Sequence, residues 1–356
     1  MEPSMSVEKQ FERLQSAHHA TSLLKKYLTV DTFNKLKDKK TKYGGTLAQC
    51  INSGIEQLDV EIGFRATDPD AYVTFGALFD PAIKDYHKIP MDANIRYPSP
   101  CFCSVDDLDI KDLDPEGKYV ISTRVRVGRN LDGFPFQSLL SDDERAQVEA
   151  RLKKNFGQLV NEYDGEYHSL ETMTEAEEKS LIETHLLFNH SNSASRSAGV
   201  YRKWPRNRGI YINKTKTFLV WISETDHKRI ISMQPGGRID QVYSRLVEGV
   251  RIIEKQLRFA HSDRLGYITF CPTNIGTTLR ASVHIKIPKL AANKDVLGKL
   301  CDDYNLQVRG IDGDGTGIFG DTFDISNKRR MGLTEIQAVV EMATGVKAII
   351  NKEENL

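Results

Sequence analysis

No apolar run in this chain approaches the roughly 18 residues needed to cross a bilayer, and its opening, MEPSMSVEKQ, has neither the basic start nor the apolar stretch of a secretory leader. Cysteine is scarce: Cys50, Cys101, Cys103, Cys271 and Cys301 form an odd, scattered set of five without a CxxC pair. That pattern excludes a disulfide framework and a closed zinc site, and it fits a reducing, cytoplasmic setting. An excess of one charge is also missing, because 49 Lys and Arg balance 49 Asp and Glu. A neutral chain has no global field for nucleic acid or an acidic membrane, so neither is expected as a partner. Any charge-driven function must come from local clustering. What the chain does have is length, 356 residues with 39% apolar, enough for two buried cores.

Periodicity divides the chain in two. Helical spacing fills the first part: Phe11 and Leu14; Leu23, Leu24, Tyr27 and Leu28; Phe33 and Leu36 behind Asp31 as N-cap; then Tyr72, Phe75, Phe79 and Ile83. Proline and polar clusters break residues 88–115, which predicts a linker at 96–117 between a helical domain, 1–95, and a second domain, 118–356. In the second, 118–129, 217–222, 266–270, 279–287 and 305–310 have strand composition. Ser141 and Glu144 predict a capping box ahead of Val148, Leu152, Phe156 and Leu159. Val242, Leu246, Val250, Ile253 and Leu257 mark another helix, and Thr334 with Gln337 caps a third whose face carries Ile336, Val340, Ala343 and Val346. Strands and helices without regular βαβ units predict an α+β fold, a small all-helical domain followed by a larger one built on a sheet.

Alternation within two of these strands points to chemistry. Residues two apart share a face, so Ser122, Arg124 and Arg126 lie opposite Tyr119, Ile121, Val125 and Val127. The division recurs with Arg280, Ser282, His284 and Lys286 opposite Leu279, Ala281, Val283, Ile285 and Ile287. A half-exposed antiparallel strand also turns polar residues to water. Ordinary solvated faces, however, mix Lys, Glu and Thr, whereas these contain no carboxylate and offer Arg, whose planar fork suits phosphate. Arg229 and Arg309 are further candidates for a polyphosphate cage.

Absences narrow the phosphate chemistry. There is no GxxxxGK[ST] loop and no linked set of protein-kinase motifs. The match Gly315, Gly317, Gly320 to GxGxxG leads into DTFDIS, not a helix, which denies it a dinucleotide-binding reading. Asp312, Asp314 and Thr316 imitate the start of a calcium loop, but its twelfth position is Phe323. Glycine at 310, 313, 315, 317 and 320 predicts a mobile loop that closes over a ligand.

The segments STRVRVGR (122–129), HKRIISMQ (227–234), CPTNIGTTLRASVHIKIPKL (271–290) and DISNKRRMGLTE (324–335), with SLLKKYL (22–28) and LFDP (78–81), resemble the phosphagen kinases, closest to their arginine-specific branch. The resemblance covers essentially the whole chain. It implies an antiparallel sheet flanked by helices in the second domain, and reversible phosphoryl transfer between MgATP and a guanidino compound by a monomer or dimer. Matching positions place Arg124, Arg126, Arg229, Arg280 and Arg309 around the nucleotide phosphates and the migrating group, where they stabilise charge in the transition state. By the same matching, the stretches Ser122, Thr123, Arg124, Val125, Arg126 and Arg280, Ala281, Ser282, Val283, His284 contact nucleotide, as do His185 and Arg309, Gly310, Ile311, Asp312, Gly313, Asp314. Glu224 matches an acidic residue near Mg²⁺ that acts through water. Cys271 matches the reactive cysteine that pairs with the substrate guanidinium.

The chain departs from the resemblance on the acceptor side. A guanidinium stays protonated at neutral pH, so its attack needs positioning by negative groups. The arginine-specific branch uses two glutamates; the matching positions here are Thr225 and Asp314. If the strand continued past Ile222, Glu224 and Asp226 would face away from residue 225 and leave its carboxylate unreplaced. The expected loss is about 2–4 kcal/mol of transition-state stabilisation, which a Thr225→Glu change should restore. Gly63, Phe64 and Arg65 fill the loop that frames the acceptor, and Arg65 stands where the branch carries Tyr. Arginine is the leading acceptor; another guanidino acid, or a nucleotide-binding pseudoenzyme, are the alternatives these departures raise.

Overall fold

The structure, a computed structural model, describes residues 5–98, 102, 108–310 and 320–356. Its first part is helical: α1 Val7–Ser16, α2 Leu23–Tyr27, α3 Val30–Leu36, α4 Leu47–Glu56, α5 Ala71–Thr74 and α6 Gly76–Tyr86. Hydroxyl caps set the starts, because Ser6, Ser22, Thr29 and Thr46 each accept a backbone N–H of the first turn. Thr29, not Asp31, caps α3. Asp31 lies within the first turn, where its charge favours the helix N-terminus. Tyr72, Phe75, Phe79 and Ile83 are all buried as expected, with a break at Phe75 that separates α5 from α6. A Cβ on Gly54 of α4 would fall 2.0 Å from the Gly63 carbonyl oxygen, so glycine is what lets α4 lie directly on the loop at 63–66.

The remaining chain builds an antiparallel sheet in the order β2-β3-β4-β5-β1-β8-β10-β9. The strands are β1 Val120–Arg129, β2 Gly165–Ser169, β3 Gly209–Asn213, β4 Phe218–Ile222, β5 Lys228–Pro235, β8 Arg280–Lys286, β9 Leu306–Arg309 and β10 Thr322–Asn327. A separate hairpin pairs β6 His261–Ser262 with β7 Gly266–Tyr267. Among the described residues the helices of this part are α7 Asp142–Lys154, α8 Glu175–Glu183, α9 Ser193–Ser197, α10 Ile239–Glu254, α11 Pro288–Ala291, α12 Lys294–Asp303 and α13 Glu335–Glu354. Both predicted capping boxes, Ser141 with Glu144 and Thr334 with Gln337, are formed.

One face of the sheet is covered. Val125, Val127, Ile230, Ala281, Val283, Phe323 and Ile325 pack against Val242 and Leu246 of α10 and Val339, Met342 and Val346 of α13. Each such side chain contributes roughly 1.5–3 kcal/mol of burial. The opposite face is apolar at one end, where Ile210, Leu219, Trp221 and Ile231 pack with Leu186, Leu187 and Phe188. At the other end the arginines emerge.

Several expectations fail locally. The β1 register slips between Val120 and Ser122, so Val120 turns inward and Ile121 is 51% exposed. On α13, Val339 takes the buried place expected of Val340, and Leu257 lies past the end of α10. Residues 266–270 do not join the sheet. Ile268 and Phe270 are drawn instead into the core of the helical part, together with Phe136, Val200 and Met331. Strands β2, β3, β5 and β10 were not predicted.

Candidate active site

The sheet order puts β5, β1 and β8 side by side, and β10 between β8 and β9. The register aligns Gly128 with Arg229, Arg126 with Arg280, and Arg124 with Ser282. Directly opposed residues share a face, so Arg124, Arg126, Arg229 and Arg280 stand on one surface. Arg126 and Arg229 line a cleft with Gly128, Asp226, Asn274, Thr278 and Arg330. Burial, followed by the charges of Arg229, Arg280, Arg124 and Arg330, pushes the Arg126 guanidinium well below its ordinary pKa. Burial, with Arg280, Arg309 and Arg229 nearby, likewise lowers Arg330, to about 10. These side chains therefore converge. An arginine surrounded by arginines stays charged, and its field calls for a polyanion.

Donors are left over. Nε and Nη2 of Arg124, Nε of Arg280 and Nε of Arg330 are buried without a hydrogen-bond partner. A buried orphan donor costs about 1–3 kcal/mol, a penalty that phosphate oxygens would remove. Arg124 lies 4.8 Å from the Trp221 ring centroid, which fixes its plane over the sheet. His185 and His284 meet edge to face at 5.3 Å beside Ser122, the residue opposite His284. Arg309 bonds Gln307 at 2.8 Å and pairs across the ladder with Asp324.

The residues expected to frame the acceptor are tied together by Phe270. Its carbonyl accepts the Ala66 N–H at 2.9 Å and its N–H donates to Asp226 Oδ1 at 3.0 Å. One residue thus ties the loop carrying Gly63, Phe64 and Arg65 to the turn carrying Glu224 and Thr225, with Cys271 next in the chain. Cys271 is half-buried, and its Sγ lies 3.0 Å from Thr273 Oγ1. Arg65 folds onto its own backbone, with Nη1 donating to the Phe64 carbonyl at 2.8 Å. At Glu224 the expectation is overturned. Ser223 has φ 58°, which ends the extended run, and Glu224 Oε2 sits 2.7 Å from Thr225 Oγ1 instead of facing away from it.

The structure also places the remaining expected site residues. Thr123, Val125, Ala281 and Val283 place their side chains in the opposite layer: Thr123 bonds the Gly236 carbonyl, and the other three are buried in the main core. Phe64 is fully buried in the helical core, and Gly63 is needed because a Cβ there would meet Leu24 at 2.6 Å. Ile311, Asp312, Gly313 and Asp314 lie outside the described residues, as does most of the glycine-rich segment. Among the described residues no group of three or more His, Cys, Asp or Glu side chains is placed to hold a metal. No helix there is long and apolar enough to cross a membrane.

Sequence reasoning missed Arg330, Asn274 and Asp324 and set Asp226 aside. Asp324 supplies the carboxylate thought absent from the cationic face, bonding Arg280 Nη2 at 2.8 Å and facing His284 Nε2 at 3.7 Å. The alternation of DTFDISN, once recognised as a strand, would have aimed it there.

Comparison with known proteins agrees with this geometry. Residues 18–84 match the N-terminal domain of the ATP:guanido phosphotransferases and residues 147–356 their C-terminal catalytic domain. An arginine kinase of Amphioctopus fangsiao is 50% identical over 348 residues, 98% of this chain and 99% of that protein. One from Penaeus vannamei is 49% identical over 350 residues, 98% of each chain. Among solved structures, the duplicated taurocyamine kinase of Schistosoma mansoni, with bound transition-state analog components, superposes with TM-score 0.92 and 44% identity. The alignment covers 98% of this chain, which spans about half, 48%, of that duplicated protein. A lombricine kinase superposes with TM-score 0.86 and 31% identity, covering 97% of this chain and 95% of the other. With matches to both domain patterns and half of all positions shared with such relatives along nearly its full length, the chain belongs to the ATP:guanido phosphotransferase family.

Proposed function

We propose that this protein reversibly transfers the γ-phosphoryl group of ATP to a guanidino acceptor, L-arginine foremost. The observation that carries the proposal is the convergence of Arg124, Arg126, Arg229, Arg280 and Arg330, with unclaimed donors on Arg124, Arg280 and Arg330, beside the segment that carries Cys271. A guanidino nitrogen attacks the γ-phosphorus, the bond to the bridging oxygen breaks, ADP leaves, and the nitrogen gives up a proton. Arg124 and Arg280 hold the nucleotide phosphates; Arg126, Arg229 and Arg309 receive charge growing on the equatorial oxygens. Ser122, His185 and His284 border the nucleotide, and Asp324 keeps Arg280 in place. Mg²⁺ bound with ATP would supply neutralisation of phosphate charge, and among the described residues no cluster of three carboxylate, His or Cys side chains would hold it without the nucleotide. Cys271 and Arg65 face the acceptor. Residues 1–95 act as the helical domain and 118–356 as the catalytic domain of a cytoplasmic enzyme.

Arginine is supported by the family and by relatives named arginine kinases at about half identity. Arg65 favours a second reading, an acceptor with a further anionic group. Structural neighbours named for taurocyamine and lombricine lend it weight. Phosphorus NMR of the purified chain with MgATP and arginine, taurocyamine or lombricine tests both. A new N–P resonance with arginine supports the first reading, one confined to another acceptor supports the second, and none with any acceptor overturns phosphoryl transfer.

A further inference from the structure

The turn after β4 contains the carboxylate that residue 225 lacks. Ser223 at φ 58° bends the chain back, so Glu224 and Thr225 share one side of the turn. Glu224 Oε2 accepts the Thr225 N–H at 2.6 Å and its hydroxyl at 2.7 Å, and lies 3.1 Å from Arg229 Nε. The Thr225 hydroxyl also accepts from Arg229 Nη2 at 2.6 Å. It is committed in both directions and is not a free partner for a substrate. Asp226 is committed as well, with Oδ1 taken by Asn130 and the Phe270 N–H, and its side chain 1% exposed. Glu224 differs. Every contact named above goes to Oε2, which leaves Oε1 as an acceptor on a side chain that remains 13% exposed.

Electrostatics says why this matters. A guanidinium entering beside Arg126 and Arg229 meets positive charge, and it needs a carboxylate at the entrance to bind at all. Asp226 accepts the Phe270 N–H, which ties the turn carrying Glu224 to the segment carrying Cys271, beside Arg126 and Arg229.

We propose that Glu224 is the carboxylate that receives the acceptor's guanidinium in this chain, with Thr225 as the positioning residue that fixes it against Arg229. The proposal rests on the phosphoryl-transfer reading above and names a different residue for one of its roles. It also reverses the expectation for Thr225→Glu. A second carboxylate at 225 would compete with Glu224 for Arg229 and would add no new anchor.

Full-length variants decide the matter, using steady-state kinetics and calorimetric binding of L-arginine in the presence of MgADP. Thr225→Val should raise the arginine KM about tenfold with the ATP KM unchanged, and Thr225→Ser should restore it to within about threefold. Glu224→Gln should lose arginine binding in calorimetry while still binding MgADP, and Thr225→Glu should not raise turnover. An unchanged arginine KM in Thr225→Val, or turnover raised tenfold by Thr225→Glu, overturns the proposal and leaves phosphoryl transfer standing. So does a Glu224→Gln enzyme that binds arginine normally and recovers activity when Mg²⁺ is raised, since Glu224 would then serve the metal. A wild-type chain that binds MgADP and phosphorylates no guanidino compound overturns both readings.

Discussion

Asp324 Oδ1 accepts a 2.8 Å hydrogen bond from Arg280 Nη2 in the middle of the cationic face. Burial alone would raise this carboxyl, but Arg280 and then His284 outweigh it and hold it well below the usual carboxylate range. The carboxylate therefore stabilises the fold above its ordinary pKa near 4, and that contribution is lost as pH falls toward the folded value. Asp324→Asn should cost about 2–4 kcal/mol, because it leaves Arg280 buried without its counter-charge. Urea unfolding at pH 7 checks the loss, and the nucleotide KM should rise with it.

His87 and His227 follow one pattern. In each, Nε2 donates to a proline carbonyl, Pro272 or Pro135, and Nδ1 accepts a backbone N–H, from Arg330 or Leu131. Burial first, offset in part by the carbonyl bond, lowers both to about 4. An unfolded imidazole takes its proton near pH 6.5, so stability should fall as pH drops from there toward 4. At pH 5 the loss is roughly 2 kcal/mol per residue. Urea midpoints of wild type and His227→Gln between pH 7 and 5 measure it, and the variant should show the shallower decline.

Lys228 is a charge with nowhere to go. Its Nζ has no hydrogen-bond partner, lies 5.0 Å from the Phe259 ring centroid, and burial lowers its pKa to about 7. Since the folded value lies below the unfolded one, stability should climb from pH 7 toward 10. Lys228→Met should stabilise the chain at pH 7 by about 2–4 kcal/mol, with the advantage shrinking as pH rises. Denaturant titrations at pH 7 and pH 9.5 compare the two.

Arg65 is held by the Phe64 carbonyl and by no carboxylate in the described residues. If it reads an anionic group on the acceptor, Arg65→Ala should raise the KM for acidic guanidino compounds about tenfold and leave the ATP KM alone. Competition between arginine and alkylguanidines that carry no acidic group gives the check.

The parts legible in advance were those encoded by local patterns. Arg124, Arg126 and Arg280 share a face because strand alternation is short-range, and Ser141 and Thr334 announce their helices three residues ahead. What escaped depends on distant partners. Phe270 has strand composition, yet its backbone groups are satisfied by Ala66 and Asp226, so no window of sequence around it reveals the departure. Asp324 becomes visible only after β10 is paired with β8. The place of Glu224 escaped because one left-handed residue, Ser223, ends the extended run before it and brings its carboxylate to the Thr225 hydroxyl.

The core of the helical part takes in Phe136, Val200, Ile268, Phe270 and Met331 among other side chains from far along the chain. A transplant of residues 1–95 from a relative would therefore carry half of a jigsaw. Hybrids should assemble only when these distant positions travel with the donor segment, which makes the two halves a co-inherited pair and not interchangeable modules.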